Sequence, residues 1–106
     1  MSWKKVPKKV ELADITVRDG FQHEEKRIPT NAKLWICEEL LKAGYKRLEV
    51  TNLGSKRAMP QFDDAEEVLK DLRTAKRFQD KMKGVELTAV TIREKAVDQA
   101  IELSQK

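Results

Sequence analysis

Arg18 and Asp19 stand side by side at the end of an apolar run and open a polar cluster, Gly20-Phe21-Gln22-His23-Glu24-Glu25. A second cluster, Glu49-Val50-Thr51-Asn52, closes another short apolar run. Asp19 has the hard oxygen donors that suit a divalent cation such as Mg²⁺ or Mn²⁺. A guanidinium beside it, on Arg18, can neutralise negative charge that develops on a substrate oxygen. Gln22 supplies an amide for orienting a substrate, and Gly20 lets the backbone turn close to a ligand. Glu24 is suited to orienting Arg18 or to moving a proton, and His23 to acid–base work, metal ligation or a hydrogen bond within the loop. Taken alone, an Arg-Asp-Gly tripeptide is common, and an exposed Arg–Asp pair in a turn accounts for it better than a site does.

These clusters need elements that bring them together. Residues 9–17 (KVELADITV) are aliphatic and β-branched and predict a first strand, followed by a polar loop over 18–29. Thr30 is a good N-cap for a helix over 31–43, in which Leu34, Cys37, Leu40 and Leu41 keep helical spacing and Gly44 follows as a stop. Residues 47–51 predict a second strand and 52–60 a loop. Residues 63–80 predict a helix with Ala65, Val68, Leu69 and Leu72 on one face. Its acidic start (Asp63, Asp64, Glu66, Glu67) matches the helix dipole without need of a metal. A third strand is expected over 85–92 and a third helix from 94 to about 104, bearing Ala96, Val97, Ala100, Ile101 and Leu103. Such βαβαβα alternation predicts an α/β fold with parallel strands and helical crossovers. Either this is a small open three-layer domain, or it is the first three units of a barrel, which needs eight units and roughly 250 residues.

Composition narrows the class. The 106 residues carry 22 Lys and Arg against 18 Asp and Glu, a net charge of +4, and are 40% hydrophobic and 38% charged, which is polar but not a disordered composition. No apolar run approaches the ~20 residues of a membrane span, and the basic N-terminus is not followed by the apolar stretch of a secretory signal. The excess charge sits around Lys4, Lys5, Lys8 and Lys9 and around Arg73, Lys76 and Arg77. Without an RNA-binding signature, zinc-finger spacing or aromatic–basic interleaving, it reads as solvated surface, and no nucleic-acid partner is expected. The one cysteine excludes an internal disulfide and fits a reduced, cytoplasmic setting. Cys37 lies on an apolar stripe and reads as a buried thiol rather than a nucleophile. Trp3 and Trp35 read as covers for apolar surface.

Three blocks in order, "VRDGFQHEEKRIPTNAK", "AGYKRLEVTN" and "MPQFDDAEEVLK", resemble the opening of 3-hydroxy-3-methylglutaryl-CoA (HMG-CoA) lyases. These belong to a metallolyase barrel superfamily that also holds isopropylmalate and homocitrate synthases. The run Gln22-His23-Glu24 after Phe21 looks more like the lyase branch than the synthase branch. The resemblance implies that residues 1–106 are one partial domain, the first three βα units of a (β/α)8 TIM barrel. It makes Asp19 a metal ligand, Arg18 and Glu49 catalytic, and Gln22, His23, Glu24 and Asn52 contacts of an acyl-CoA substrate. The implied reaction is a metal-dependent retro-Claisen cleavage. The chain departs from the family pattern at His23, where Asn is usual, and at Asn52-Leu53-Gly54-Ser55-Lys56-Arg57, where a Ser-Phe-Val-Ser-Pro-Lys-like run is usual. With one histidine, it lacks the family's His-X-His ligands, and the family's later cysteine loop is also missing. An inactive part of a larger enzyme, free to self-associate, is therefore expected; a non-catalytic half-barrel module is the alternative.

Overall fold

The computed structural model describes residues 3–105, with side chains from Lys4 onward, so the side chain of Trp3 lies outside the described residues. Three strands, β1 (Ala13–Asp14), β2 (Arg47–Asn52) and β3 (Glu86–Val90), form one parallel sheet in the order β1-β2-β3. The crossovers are helices α1 (Thr30–Lys42) and α2 (Ala65–Thr74), and α3 (Glu94–Ser104) follows β3. One core lies between the sheet and α1 and α2. It is built from Val17, Leu34, Cys37, Leu41, Leu48, Val50, Val68, Leu72 and Phe78. Leu53, Ala65 and Ala96 form a smaller cluster under α3.

The first strand is far shorter than residues 9–17. Its register pairs Ala13 with Arg47 and Asp14 with Leu48, so anything before Ala13 would face the turn leaving α1 and has no strand to join. Val10 and Leu12 are accordingly exposed. Beyond Asp14, the Asp14 carboxylate accepts hydrogen bonds from the Thr16 backbone N–H (2.8 Å) and hydroxyl (3.0 Å). That local closure turns the chain out of the sheet. Thr16–Gly20 then winds into a π-helical turn, with Asp19 N–H and Gly20 N–H both donating to Ile15 O. Gly20 has no positive φ there, and an added Cβ would meet only Thr16 Cγ2 at 3.6 Å, so the turn does not depend on glycine.

Helix α1 ends in a Schellman closure, Gly44 N–H to Leu41 O and Tyr45 N–H to Leu40 O, with Gly44 at φ 103° as that closure requires. Its start differs from expectation. Pro29 occupies the N-cap, and the Thr30 hydroxyl donates instead to Asp64 Oδ2 at 2.6 Å. Asp63 and Asp64 likewise pair with side chains from other elements, so the helix dipole is not their main partner. Lys33, one turn into α1, is buried, and its ammonium donates to Asp64 Oδ1 at 2.8 Å and to the Gln61 carbonyl. Trp35 is exposed rather than a cover for apolar surface.

Helix α2 stops at Thr74, well short of residue 80. Its buried positions are Ala65, Val68 and Leu72, and on a continued helix Phe78 would be turned well away from that stripe. Ala75 adopts an extended conformation instead (φ −67°, ψ 133°), which lets a short 3₁₀ turn, Lys76–Phe78, carry Phe78 into full burial. In α3 the expected apolar face divides. Ala96 is buried, with Ala100 and Leu103 packed beside it, whereas Val97 and Ile101 point outward.

The Lys33–Asp64 pair generates the first prediction. Removing one partner of a buried ion pair strands the other charge in the core. Lys33→Met should cost about 3–5 kcal/mol in urea unfolding, and Lys33→Met combined with Asp64→Leu should recover most of it. A single variant as stable as the parent would show that the pair is solvated.

Candidate active site

The π turn after β1 and the middle of β2 lie side by side. Arg18 Nε donates to Glu49 Oε2 at 2.8 Å, and Arg18 Nη1 donates to Asp19 Oδ1 at 3.2 Å and to Gln22 Oε1 at 3.3 Å. The pair is half-buried, with side-chain exposures of 18% for Arg18 and 22% for Glu49, while Asp19 reaches out at 46%. The guanidinium is thus held on two of its nitrogens, and among the described residues neither Nη2 nor Asp19 Oδ2 has a hydrogen-bond partner. His23, one helical turn after Asp19, brings Nε2 to 3.9 Å from Asp19 Oδ1 and is largely solvent-exposed.

The strand geometry explains Glu49. In the parallel register Arg47 pairs with Glu86 and Glu49 with Thr88, so all four share one sheet face. Leu48 and Val50 face the helices. Arg47 and Glu86 are joined by a 2.7 Å ion pair on the open face. An irregularity between Glu49 and Thr51 then sets Thr51 opposite Ala89 and Asn52 opposite Val90. The extra residue shifts the alternation so that Asn52, rather than Thr51, continues the face of Glu49.

The sequence-derived residues divide by position. Arg18, Asp19, Gln22, His23 and Glu49 come together. Glu24 is not among the partners of Arg18: the carboxylate that orients the guanidinium is that of Glu49. Glu24 lines a neighbouring groove of about 220 Å³ with Gln22, Arg27, Met59 and Gln61. Asn52 is buried, and its Oδ1 accepts the Gly54 N–H at 2.8 Å, which closes the turn after β2. A Cβ on Gly54 would come within 3.0 Å of Met59 and 3.1 Å of Asn52 Oδ1, so that turn does require glycine. Two features escaped the sequence reading. Thr51 Oγ1 is buried with no hydrogen-bond partner among the described residues, and Gln61 is bonded to the loop after β1. An alternating strand pattern gives no hint of a shift in alternation, and an amide in a polar run does not announce its partners.

A cavity of about 420 Å³ lies elsewhere, between α2, β3 and α3. Its lining is mainly Leu53, Leu69, Met82, Leu87 and Leu103, with no carboxylate, imidazole or thiol. Arg73 in its wall donates to the Leu103 and Ser104 carbonyls at the end of α3. The cavity is a gap where α3 docks, and the carboxylates, imidazole and guanidinium singled out in the sequence gather instead around Arg18. As for a metal, Asp19 and His23 offer one carboxylate and one imidazole, and no group of three His, Cys, Asp or Glu converges among the described residues. These two fit part of a hard cation's shell of about six donors. The basic residues near α2 are partly engaged as well, Arg77 lying 3.6 Å from Glu38 and over the Phe78 ring.

No family model matches the chain. It is similar to rat mitochondrial hydroxymethylglutaryl-CoA lyase, with 29% identity over 101 residues, 95% of this chain and 29% of that protein. It is also similar to the mouse cytoplasmic 3-hydroxy-3-methylglutaryl-CoA lyase, with 34% identity over 68 residues, 64% of this chain and 20% of that one. The crystal structure of hydroxymethylglutaryl-CoA lyase from Pseudomonas aeruginosa superposes with a TM-score of 0.76 at 30% identity, covering 92% of this chain and 30% of that one. The chain thus spans less than a third of the length of these relatives. Its three βα units have the fold of part of a lyase TIM barrel, consistent with the N-terminal portion of an HMG-CoA lyase-like protein.

Cys37 is fully buried, and burial pushes its thiol up from the ordinary 9.0 to about 12, with the Asp14 carboxylate adding to the shift. The native protein should therefore leave a thiol reagent unreacted at pH 8, with one equivalent consumed on unfolding. Because the folded value lies above the unfolded one, the stability this group contributes is complete below pH 9 and is lost as pH rises toward 12. Rapid labelling of the native protein at pH 8 would place Cys37 at an accessible site.

Proposed function

We propose that this chain carries the arginine and the metal-binding aspartate of a carbon–carbon lyase that cleaves a 3-hydroxyacyl-CoA such as HMG-CoA. The observation that carries this reading is the Arg18 guanidinium, carried just past the C-terminal end of β1 and fixed by Glu49 of the neighbouring β2, with Asp19 beside it. Strand C-terminal ends are where barrel enzymes place their chemistry.

In the reaction a base takes the proton of the tertiary hydroxyl. The oxygen's electron pair forms a ketone as the adjacent carbon–carbon bond breaks. The bonding pair leaves on the thioester side as an enolate, and its protonation gives acetyl-CoA beside the keto acid. A divalent ion bound at Asp19, Mg²⁺ or Mn²⁺, would polarise the substrate oxygens as a Lewis acid. Arg18 meets the developing enolate oxygen with a charge that needs no reorientation, because Glu49 already holds Nε. Glu49 thereby acts through Arg18. Gln22 keeps Nη1 in place and can turn its amide to the substrate; His23 stands beside Asp19, and Glu24 lines the neighbouring groove with Gln22. A substrate contact by Asn52 needs its side chain to leave Gly54.

Partner and setting follow from the same reading. The substrate is an acyl-CoA, and no nucleic acid or membrane partner is proposed. Among the described residues no helix is long and apolar enough to cross a membrane. A cytoplasmic setting suits a single reduced thiol and has a relative with that location. Open sheet edges and the exposed Val10, Leu12 and Ile92 favour self-association.

Two outcomes test the proposal. In the complete protein, Asp19→Ala should abolish metal-dependent cleavage. Arg18→Ala should retain metal binding and lose roughly 10²–10³ in turnover, the effect of one oxyanion donor. Full activity of Asp19→Ala with added Mn²⁺ would remove the ligand assignment. Separately, the purified 106-residue chain should release no acetoacetate from HMG-CoA, because Asp19 and His23 leave most of a metal's shell unfilled. Turnover near that of a complete lyase would show that the described residues form a whole site.

A further inference from the structure

Residues 24–29 have no regular secondary structure, yet they connect the Arg18 turn to α1. Their polar tethers run to one short stretch of chain, 61–64. The Gln61 side chain bonds three backbone groups of this segment: Nε2 donates to Glu24 O at 3.3 Å and to Lys26 O at 2.9 Å, and Oε1 accepts the Ile28 N–H at 2.7 Å. Arg27 adds an ion pair to Asp63 at 2.7 Å and approaches Asp64 at 3.6 Å.

Gln61 is itself fixed. It lies buried in a single 3₁₀ turn, Pro60–Phe62, whose first residue has its φ locked by the proline ring. Its backbone carbonyl accepts from the buried Lys33 ammonium, which Asp64 holds from the other side. The amide is thus anchored to the α1–α2 interface and reaches outward to the loop. Only an amide of this length suits the position. A glutamate has no N–H to offer the two carbonyls, and an asparagine is one methylene shorter.

We propose that Gln61 is a positioning residue for the Arg18–Asp19–Gln22 turn, acting through residues 24–28. Glu24 lies two residues after Gln22, and Gln22 Oε1 accepts from Arg18 Nη1, so the tether enters the cluster at its outer rim. With the tether in place, the turn is closed onto β2 and Arg18 Nε stays on Glu49. Without it, the polar links from residues 24–28 to the 61–64 stretch reduce, among the described residues, to the exposed Arg27 pair, and the turn can lift from the sheet. This proposal rests on reading the turn as the active site. The geometry it predicts is measurable without catalysis, so failure of the lyase assignment leaves the test unaffected.

The test is hydrogen exchange by nuclear magnetic resonance on the ¹⁵N-labelled chain, comparing the parent with Gln61→Met and Gln61→Glu. In the parent, Ile28 N–H and the Arg18 side-chain Nε–H should both be protected. Gln61→Met keeps the volume and removes all three bonds. It should speed exchange of both probes roughly tenfold, the factor one hydrogen bond of ordinary net strength controls, while the core amides of Val50 and Leu72 hold their parent rates. Gln61→Glu keeps an acceptor for Ile28 N–H but loses both donors, so Arg18 Nε–H should speed up more than Ile28 N–H. If Gln61→Met fails to fold, Gln61→Glu decides on the same two probes. Faster exchange at Ile28 with Arg18 Nε–H unchanged would overturn the proposal and leave Gln61 a purely local tether. An unprotected Arg18 Nε–H in the parent would remove the Arg18–Glu49 contact and the proposal together.

Discussion

A single buried ammonium ties the scaffold together. Lys33 enters the core from α1 and finds two acceptors, the Gln61 carbonyl and the Asp64 carboxylate, both from the segment that starts α2. A bare cation there would cost several kcal/mol, so burial is tolerable only with both acceptors in place. The same Asp64 takes the Thr30 hydroxyl at the start of α1. The two helix starts are therefore fixed to one another at the end of the sheet where the strands release their loops. Phe62 lies 5.5 Å from the Lys33 ammonium and closes the space on its apolar side.

That fixed corner decides what the loop after β1 can do. Arg27 reaches back to Asp63, whose carboxyl is held below its ordinary 3.8 mainly by the Arg27 hydrogen bond. The sign follows directly: what this exposed pair adds is present above the ordinary value and is lost as pH falls through the lower folded one. Neither Lys33 nor Gln61 belongs to the Arg18 cluster, yet both determine where the chain runs between Gln22 and Thr30. The Arg18 cluster thus hangs between two supports, β2 through Glu49 and the α2 start through Gln61. The first sets the direction of the guanidinium and the second the height of the turn above the sheet.

Much of the architecture was legible because it follows from periodicity. Leu34, Cys37 and Leu41 mark the inner face of α1, and Ala65, Val68 and Leu72 that of α2, as their spacing requires. That Arg18 and Glu49 lie toward the same end of the strands was legible too, from the parallel alternation; that Glu49 rather than Glu24 orients the guanidinium was not. What sequence could not give is what depends on a neighbour. The run 9–17 has every local property of a strand, yet only Ala13 and Asp14 find a paired partner. The helix expected to 80 fails at Ala75 because Phe78 is worth more inside the core than on a continued helix. The acids at 63 and 64 look like a dipole-favoured helix start, but their partners are Arg27, Thr30 and Lys33 from other elements.

The division of labour within Arg18 shows why a half-buried position suits this site. A fully exposed Arg–Glu pair is worth little and leaves the guanidinium free to rotate. A fully buried pair would be rigid but closed to a ligand. At 18% and 22% exposure, Arg18 and Glu49 keep a 2.8 Å bond while both side chains stay partly open to solvent. The π turn is what produces this geometry. A regular strand continuing past Asp14 would send Val17 and Arg18 to opposite faces of the sheet in simple alternation. By winding at Thr16, the chain drops Val17 into the core at 1% exposure and brings Arg18, Asp19 and Gln22 onto one rim. Such π-helical turns store little stability of their own and recur where side chains must converge. Here the convergence depends on Val17 as an anchor, on Glu49 as a stop, and on the Asp14 carboxylate, which starts the turn by capturing Thr16.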